Sequence, residues 1–271
     1  MDIQFYYPRW GSENSSWGDF CYQVKRAGYH GVEAPVPEDP EEQQVIFEAL
    51  KSNGLRLIGQ YYQSFEKDFE AHKANYTKQL YVLAMAQPVK INAQTGKDYF
   101  SFEQNAELFA IADIISEECG ITISHETHRN KALFAAHVTH DFLKKLPGLK
   151  LTADFSHWCN VAESLLEDQE EALVHACKKV EHIHSRVGHT QSAQVIDPRL
   201  PVFKNELDAH LKWWDAIVKA HKDQKKEVLT ITTEFGPAPY MVHLPVTDMP
   251  VASQWDINLH MMHLLKERYC K

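Results

Sequence analysis

The sequence predicts one α/β unit over residues 1–271, a closed (β/α)8 barrel of the TIM type. Three observations point there. A chain of 271 residues matches the about 250 that such a barrel takes. Short β-branched or apolar runs alternate with longer amphipathic stretches, the pattern of repeated strand-then-helix units around a parallel sheet. The first seven of those runs begin about 25 to 35 residues apart, the length of one βα unit.

Strands are expected at 3–7 (IQFYY), 31–34 (GVEA), 55–61 (LRLIGQY), 89–93 (VKINA), 121–126 (ITISHE), 149–155 (LKLTADF), 181–186 (EHIHSR) and 229–235 (LTITTEF). Helices are expected from Trp17 to Ala27, Pro40 to Ser52, Glu66 to Ala86, Ser101 to Glu118, Ala132 to Lys145, Ala162 to Lys179, Asn205 to His221 and Ser253 to Tyr269. Local chemistry marks their ends. Asp39 stands as a cap before Pro40 at the first helical position, and the turn residues of NGL (53–55) and PGL (147–149) separate helix from strand. The eighth strand is delayed by residues 187–204, rich in Gln, Pro and Gly, which reads as a long functional loop after strand seven. A doubly wound open sheet fits less well, because YYPRWGSENSS offers no Gly-rich phosphate turn after the first strand. No linker, low-complexity tract or charge block sets off a second domain.

Composition narrows the function. The 44% hydrophobic and 24% charged fractions supply a substantial core and exclude a disordered chain. Lys plus Arg number 28 against 37 Asp plus Glu; the net charge of -9 disfavours a nucleic-acid partner, and no Lys/Arg run offsets it. Cys21, Cys119, Cys159, Cys177 and Cys270 are odd in number and form no close pair, which fits a reducing cytoplasm. MDIQFYYPRW has no basic region followed by an apolar one, and no window holds the ~18 apolar residues of a bilayer span. A cytoplasmic protein without a membrane partner is therefore expected, and a homo-oligomer, dimer or tetramer, is compatible with it. The 16 histidines stand out, because several lie beside carboxylates at segment ends.

In a parallel barrel the loops after the strands gather on one face, so strand-end side chains share a centre. Read in order they are Glu33; Gln60; Asn92 and Gln94; Glu126; Asp154 with His157; His184 with Arg186; and Glu234. Any one of these is more often solvated or paired than functional. Their joint placement on four neighbouring strands is different: three carboxylates crowded at one depth repel unless a cation neutralises them. Glu126, Asp154 and Glu234 with the imidazole of His184 form a mixed oxygen and nitrogen set for one divalent ion, Mn2+, Mg2+, Co2+ or Zn2+. Pleating selects His184 over His182, since both point the same way and His184 lies nearer the strand end. His182 then sits deeper, as a core or supporting group.

In that order and at those strand positions, ISHETH, LTADFSHW with its Asp-x-x-His arrangement, HIHSRVG and ITTEFGP resemble the xylose isomerase-like TIM barrels. That superfamily includes sugar phosphate isomerases/epimerases, ketose 3-epimerases of the D-tagatose epimerase type and hydroxypyruvate isomerase. The resemblance covers nearly the whole chain. It implies that Glu126, Asp154, His184 and Glu234 hold the metal, and that His157 and Arg186 hydrogen-bond oxygens near a substrate carbonyl. The endonuclease IV branch resembles the second half too, but builds a three-zinc cluster with extra His ligands where this chain has Gln60, Asn92 and Gln94. Xylose isomerase proper uses a two-metal site and a catalytic Lys with no counterpart here.

The expected substrate is a small carbohydrate. Its carbonyl oxygen and adjacent hydroxyl would chelate the ion, and Glu126 and Glu234 would remove and return a proton through an enediolate. Return to the opposite face of the same carbon gives epimerisation, return to the neighbouring carbon gives aldose–ketose isomerisation, and the sequence leaves both open. Relatives such as inosose dehydratase imply a second chemistry, water loss from a keto-polyol with His157 as acid; a carbohydrate-binding barrel without activity is a third reading. Arg186 is expected either on the enediolate or in a salt bridge to a ligating acid. His128 and Arg129 read as supporting or rim groups. Trp10 and Trp158 are candidates for a wall against the sugar ring, and Gln191 and Gln194 for hydrogen bonds from the 187–204 loop, read as a lid or as a subunit contact stiffened by Pro198 and Pro201.

Overall fold

A computed structural model describes residues 1–270. The first half runs β1 (Asp2–Pro8), α1 (Trp17–Arg26), β2 (Gly31–Ala34), α2 (Pro40–Asn53), β3 (Arg56–Tyr61), α3 (Phe69–Met85), β4 (Lys90–Ala93) and α4 (Phe102–Cys119). The second runs β5 (Ile123–Glu126), α5 (Ala136–Lys145), β6 (Leu151–Ala153), α6 (Phe155–Ala162), α7 (Glu170–Cys177), β7 (Val180–His184), α8 (Lys204–Asp223), β8 (Val228–Thr232) and α9 (Gln254–Tyr269). The eight strands are all parallel and close in sequence order, β8 pairing back onto β1. The chain is a (β/α)8 TIM barrel.

Local chemistry sets the boundaries. Asp39 accepts from the backbone N–H groups of Glu41 and Glu42 with Pro40 in the first turn, and Gly54 ends α2 in the left-handed region at φ 59°. Ser101 and Gln104 form a reciprocal capping box on α4. Two expectations fail around strand six. The strand stops at Ala153 because Asp154 caps a new helix, α6, accepting from Ser156 N–H, and the helix expected over 162–179 shrinks to α7, which begins only at Glu170. Between those helices Glu163 and Leu166 adopt positive φ of 51° and 60°. Strands seven and eight are also shorter than expected, so Arg186 and Glu234 each lie two residues beyond a strand end.

Alternation along the strands separates two interiors. Ile3, Phe5, Tyr7, Val32, Ile91, Ala93, Leu151, Ile183, Leu229 and Ile231 join the apolar core shared with the helices. The opposite side chains fill the barrel with polar groups: Gln4, Glu33, Asn92, Ser124, Thr152, His182 and Thr230 are all buried. They are satisfied by one another, as in Ser124 Oγ to Thr152 Oγ1 at 2.7 Å and His182 Nδ1 to Thr230 Oγ1 at 2.7 Å. A barrel lined this way resists collapse into a purely apolar plug and keeps ionisable groups at one depth.

The 187–204 segment packs as ordered loop. Val187, Ala193 and Val195 are fully buried, Val195 N–H bonds Val187 O at 2.8 Å, and a short 3-10 turn (Pro201–Phe203) leads into α8. Among the described residues no helix is long and apolar enough to cross a membrane.

Candidate metal centre

At the carboxyl ends of β5 to β8, Glu126, Asp154, His184 and Glu234 each bring one ligand atom within 4.8 Å of all the others, and all four are buried. Glu126 closes β5, Asp154 caps α6, His184 ends β7, and Glu234 follows β8. His184 Nδ1 lies 3.8 Å from Glu126 Oε1 and 2.7 Å from Glu234 Oε2. The latter contact is close but off the axis a hydrogen bond needs, so Nδ1 has no directed partner. Three buried carboxylates facing an undirected imidazole nitrogen match what a divalent ion with mixed oxygen and nitrogen ligands requires, and each carboxylate oxygen keeps a lone pair for it.

Other strand ends tie the tetrad down. Asn92 Nδ2 donates to Glu126 Oε2 at 2.9 Å and to Glu33 Oε1 at 3.0 Å. Gln60 Nε2 donates to Glu234 Oε1 at 3.1 Å, and Gln94 Nε2 reaches Glu126 Oε1 at 3.5 Å. Arg186 forms an ion pair with Asp154, lies 3.6 Å from Glu234, and donates to His157 Nε2 at 2.8 Å. Above the tetrad opens a cavity of about 380 Å³; Trp10, Tyr62 and Tyr240 form its aromatic walls, and Gln60, Gln94, His128, Arg186 and Glu234 its polar lining. Of the tetrad only Glu234 reaches that lining, so the other three form the floor beneath it.

No protein-family model matches the sequence, and no curated protein matches it either. Solved structures do match over nearly the full length. A probable 3-DHS dehydratase, AsbF, from Bacillus anthracis superposes with TM-score 0.62 at 18% identity, covering 98% of this chain and 99% of that one. The 3-keto-D-glucoside 4-epimerase YcjR from E. coli gives 0.62 at 11%, covering 98% and 100%. A xylose isomerase-like TIM barrel protein from Mycobacterium smegmatis, in complex with magnesium, gives 0.60 at 10%, covering 97% of each. The fold these structures share with the chain is the (β/α)8 TIM barrel, and one of them is a xylose isomerase-like protein. At these identities the likeness is one of fold, and the chemistry of this barrel has to be read from its own residues.

Electrostatics follow from burial and crowding. Burial, then the charges of Glu234 and Asp154, push the Glu126 carboxyl up to about 7, against the pull of His184. Asp154 is raised by burial and by Glu234, with Arg186 opposing. For His184 burial disfavours the charged ring, but Glu234, Glu33 and Glu126 outweigh it and hold its pKa well above the usual imidazole value. His157 and His128 are held well below that value, chiefly by burial, and for His157 also by His128 and Arg186. Without an ion the floor therefore keeps one imidazole charged to balance its acids, the job a bound cation takes over.

The structure sorts the remaining sequence-derived candidates. His157 is fully buried against Arg186 and 3.8 Å, ring to ring, from His128, with Nδ1 unpartnered. Trp10 lines the cavity and meets Tyr240 edge to face at 5.2 Å. Trp158 does not reach it: the ring is fully buried, stacks on Phe155 at 4.6 Å and donates to Leu133 O at 2.9 Å, because it sits on α6 and faces the helix layer. Gln191 is exposed and absent from the lining, with its backbone N–H on His189 Nδ1 at 3.2 Å. Gln194, three residues on, is buried and clamps the backbone of Gly236, accepting from its N–H at 2.8 Å and donating to its O at 3.2 Å. His125 points outward, with Nδ1 2.7 Å from Thr95 Oγ1 and its ring edge-on to Phe109. Tyr240, under both Arg186 and Arg129, carried no sequence signal, since it lies in the long segment between β8 and α9 where no periodicity applies.

Proposed function

We propose that the chain is a divalent-metal-dependent sugar isomerase or epimerase in which Glu126 and Glu234 move a proton at a carbon next to the substrate carbonyl. One observation carries this reading: three buried carboxylates and the free side of His184 converge within 4.8 Å beneath the cavity. Glu126, Asp154, His184 and Glu234 would hold one Mn2+, Mg2+, Co2+ or Zn2+. When bound, that ion supplies Lewis acidity and positive charge next to the carbonyl. The remaining work falls to side chains of the protein.

Glu126 ends β5 on the floor of the cavity, with its carboxylate oriented by Asn92 and Gln94 for giving and taking a proton. Glu234 borders the cavity itself and is oriented by Gln60. One carboxylate takes the proton as an enediolate forms, and the other returns it. Arg186, fixed between Asp154, His157 and Glu234, opposes the negative charge that develops. Trp10 and Tyr240 offer flat faces to a sugar ring and help keep water out.

A second reading, dehydration of a keto-polyol with His157 as the acid, is favoured by the unpartnered, buried Nδ1 of that residue beside Arg186 and by the fold match to a probable dehydratase. Metal analysis of the purified protein, followed by incubation with ketoses, aldoses and keto-polyols and mass spectrometry of the products, tests both. Products of unchanged mass support isomerisation or epimerisation, and loss of one water supports the second reading. Protein that binds no divalent ion sinks both.

A further inference from the structure

One layer below the tetrad, Glu33 on β2 is completely buried and is not itself one of the four candidate ligands. Its carboxylate gathers donors from three other strands. Asn92 Nδ2 lies 3.0 Å from Oε1, Thr232 Oγ1 2.5 Å from Oε2, and His182 Nε2 3.1 Å from Oε2. His184 Nε2 faces both oxygens, at 3.0 and 3.1 Å. An ionised carboxylate only accepts, so the His184 nitrogen between its two oxygens carries the proton. In a neutral imidazole the lone pair is then on Nδ1, the atom that faces Glu126 and Glu234 and lacks a directed hydrogen bond.

We propose that Glu33 is the positioning residue of this centre: it fixes His184 as the Nε2–H tautomer and turns Nδ1, the metal-ligating nitrogen, toward Glu126, Asp154 and Glu234. The inference rests on the metal reading above and extends it one layer down, to a carboxylate–histidine–metal relay. Burying a carboxylate in a barrel interior is unfavourable compared with an apolar side chain of similar volume, so a role in stability alone does not account for Glu33. Glu33, His182 and His184 are close enough to hold an ion themselves, but every donor there is already matched to the carboxylate, which leaves that set complete without one.

Zinc titration of the full chain, with zinc content and long-range 15N NMR of the histidines, tests this in wild type, Glu33→Gln and Glu33→Ala; His184→Gln assigns the resonance. The expected result is one zinc per chain, bound through His184 Nδ1 with the proton kept on Nε2. Affinity should fall about 10- to 100-fold in Glu33→Ala and less in Glu33→Gln, whose amide oxygen still accepts from Nε2–H. Ligation through Nε2, a second zinc at Glu33, or wild-type affinity in both folded variants overturns the assignment. If the variants do not fold, the wild-type spectrum decides alone. Wild type that takes up no zinc overturns the metal reading and this assignment together, whereas Nε2 ligation overturns only this one.

Discussion

Part of the acid sensitivity should come from His210, a fully buried residue on α8. Its Nδ1–H donates to Glu206 O at 2.8 Å, and its Nε2 accepts from Gly188 N–H at 3.2 Å. Both ring nitrogens are thus matched only in the neutral form; a proton on Nε2 would point at the N–H of Gly188. Burial accordingly lowers the His210 pKa from 6.5 to about 4. The folded state binds fewer protons than the unfolded chain between those values, so this contribution is complete above the unfolded pKa and is lost as pH falls toward the folded one. In full it amounts to about 3 kcal/mol, of which about 2 kcal/mol disappears between about pH 7.5 and about pH 5. Gly188 lies in the loop after β7, two residues past Arg186, so the bond that protonation breaks anchors that loop to α8. Urea unfolding followed by circular dichroism at both pH values, with chelator present, should show wild type losing about 2 kcal/mol more than His210→Gln. Equal losses in the two proteins would refute the reasoning, since all other titrating groups are shared.

Other perturbations have outcomes fixed by placement. Trp158→Ala should destabilise by about 3–5 kcal/mol in denaturant titration, as expected for a core ring, while Trp10→Ala should raise KM with little change in Tm. Gln191→Ala should leave KM unchanged and stability within about 0.5 kcal/mol; Gln194→Ala, which strands the Gly236 N–H, should lose about 1–3 kcal/mol. Arg186→Met in metal-free protein should lose about 3–5 kcal/mol by leaving Asp154 and Glu234 uncompensated, and added divalent ion should raise its Tm more than that of wild type.

Much of the barrel was legible because its determinants are local. GVEA at 31–34 and the Asp39–Pro40 cap are read correctly from a few residues, since a buried run and a helix start are decided by neighbours in the chain. The break between α6 and α7 was not legible: NVAESLLEDQEEAL contains no Gly or Pro, yet Glu163 and Leu166 take positive φ there. The same region misdirected Trp158, which looked like a strand-end aromatic until Asp154 proved to start a helix. The tetrad was visible as four polar strand ends because parallel pairing puts those ends at one depth. Glu33 was visible as a strand end too, but its link to His184 spans 151 positions and exists only once β8 closes on β1. Gln191 and Gln194 differ by three residues and looked equivalent; the fold of the loop, which buries only the second, is set by contacts with Gly236 that sequence spacing does not encode.

Proton exchange with solvent is the most direct test of the central claim. Wild-type protein loaded with Mn2+ and incubated in deuterated water with a panel of ketoses, aldoses and keto-polyols should place deuterium on the carbon next to the carbonyl of at least one of them. Glu126→Gln, still folded, should lose that exchange by about 10²- to 10⁴-fold. A metal-loaded wild type that exchanges no proton with any compound in the panel, or a Glu126→Gln protein that exchanges as fast as wild type, would contradict it.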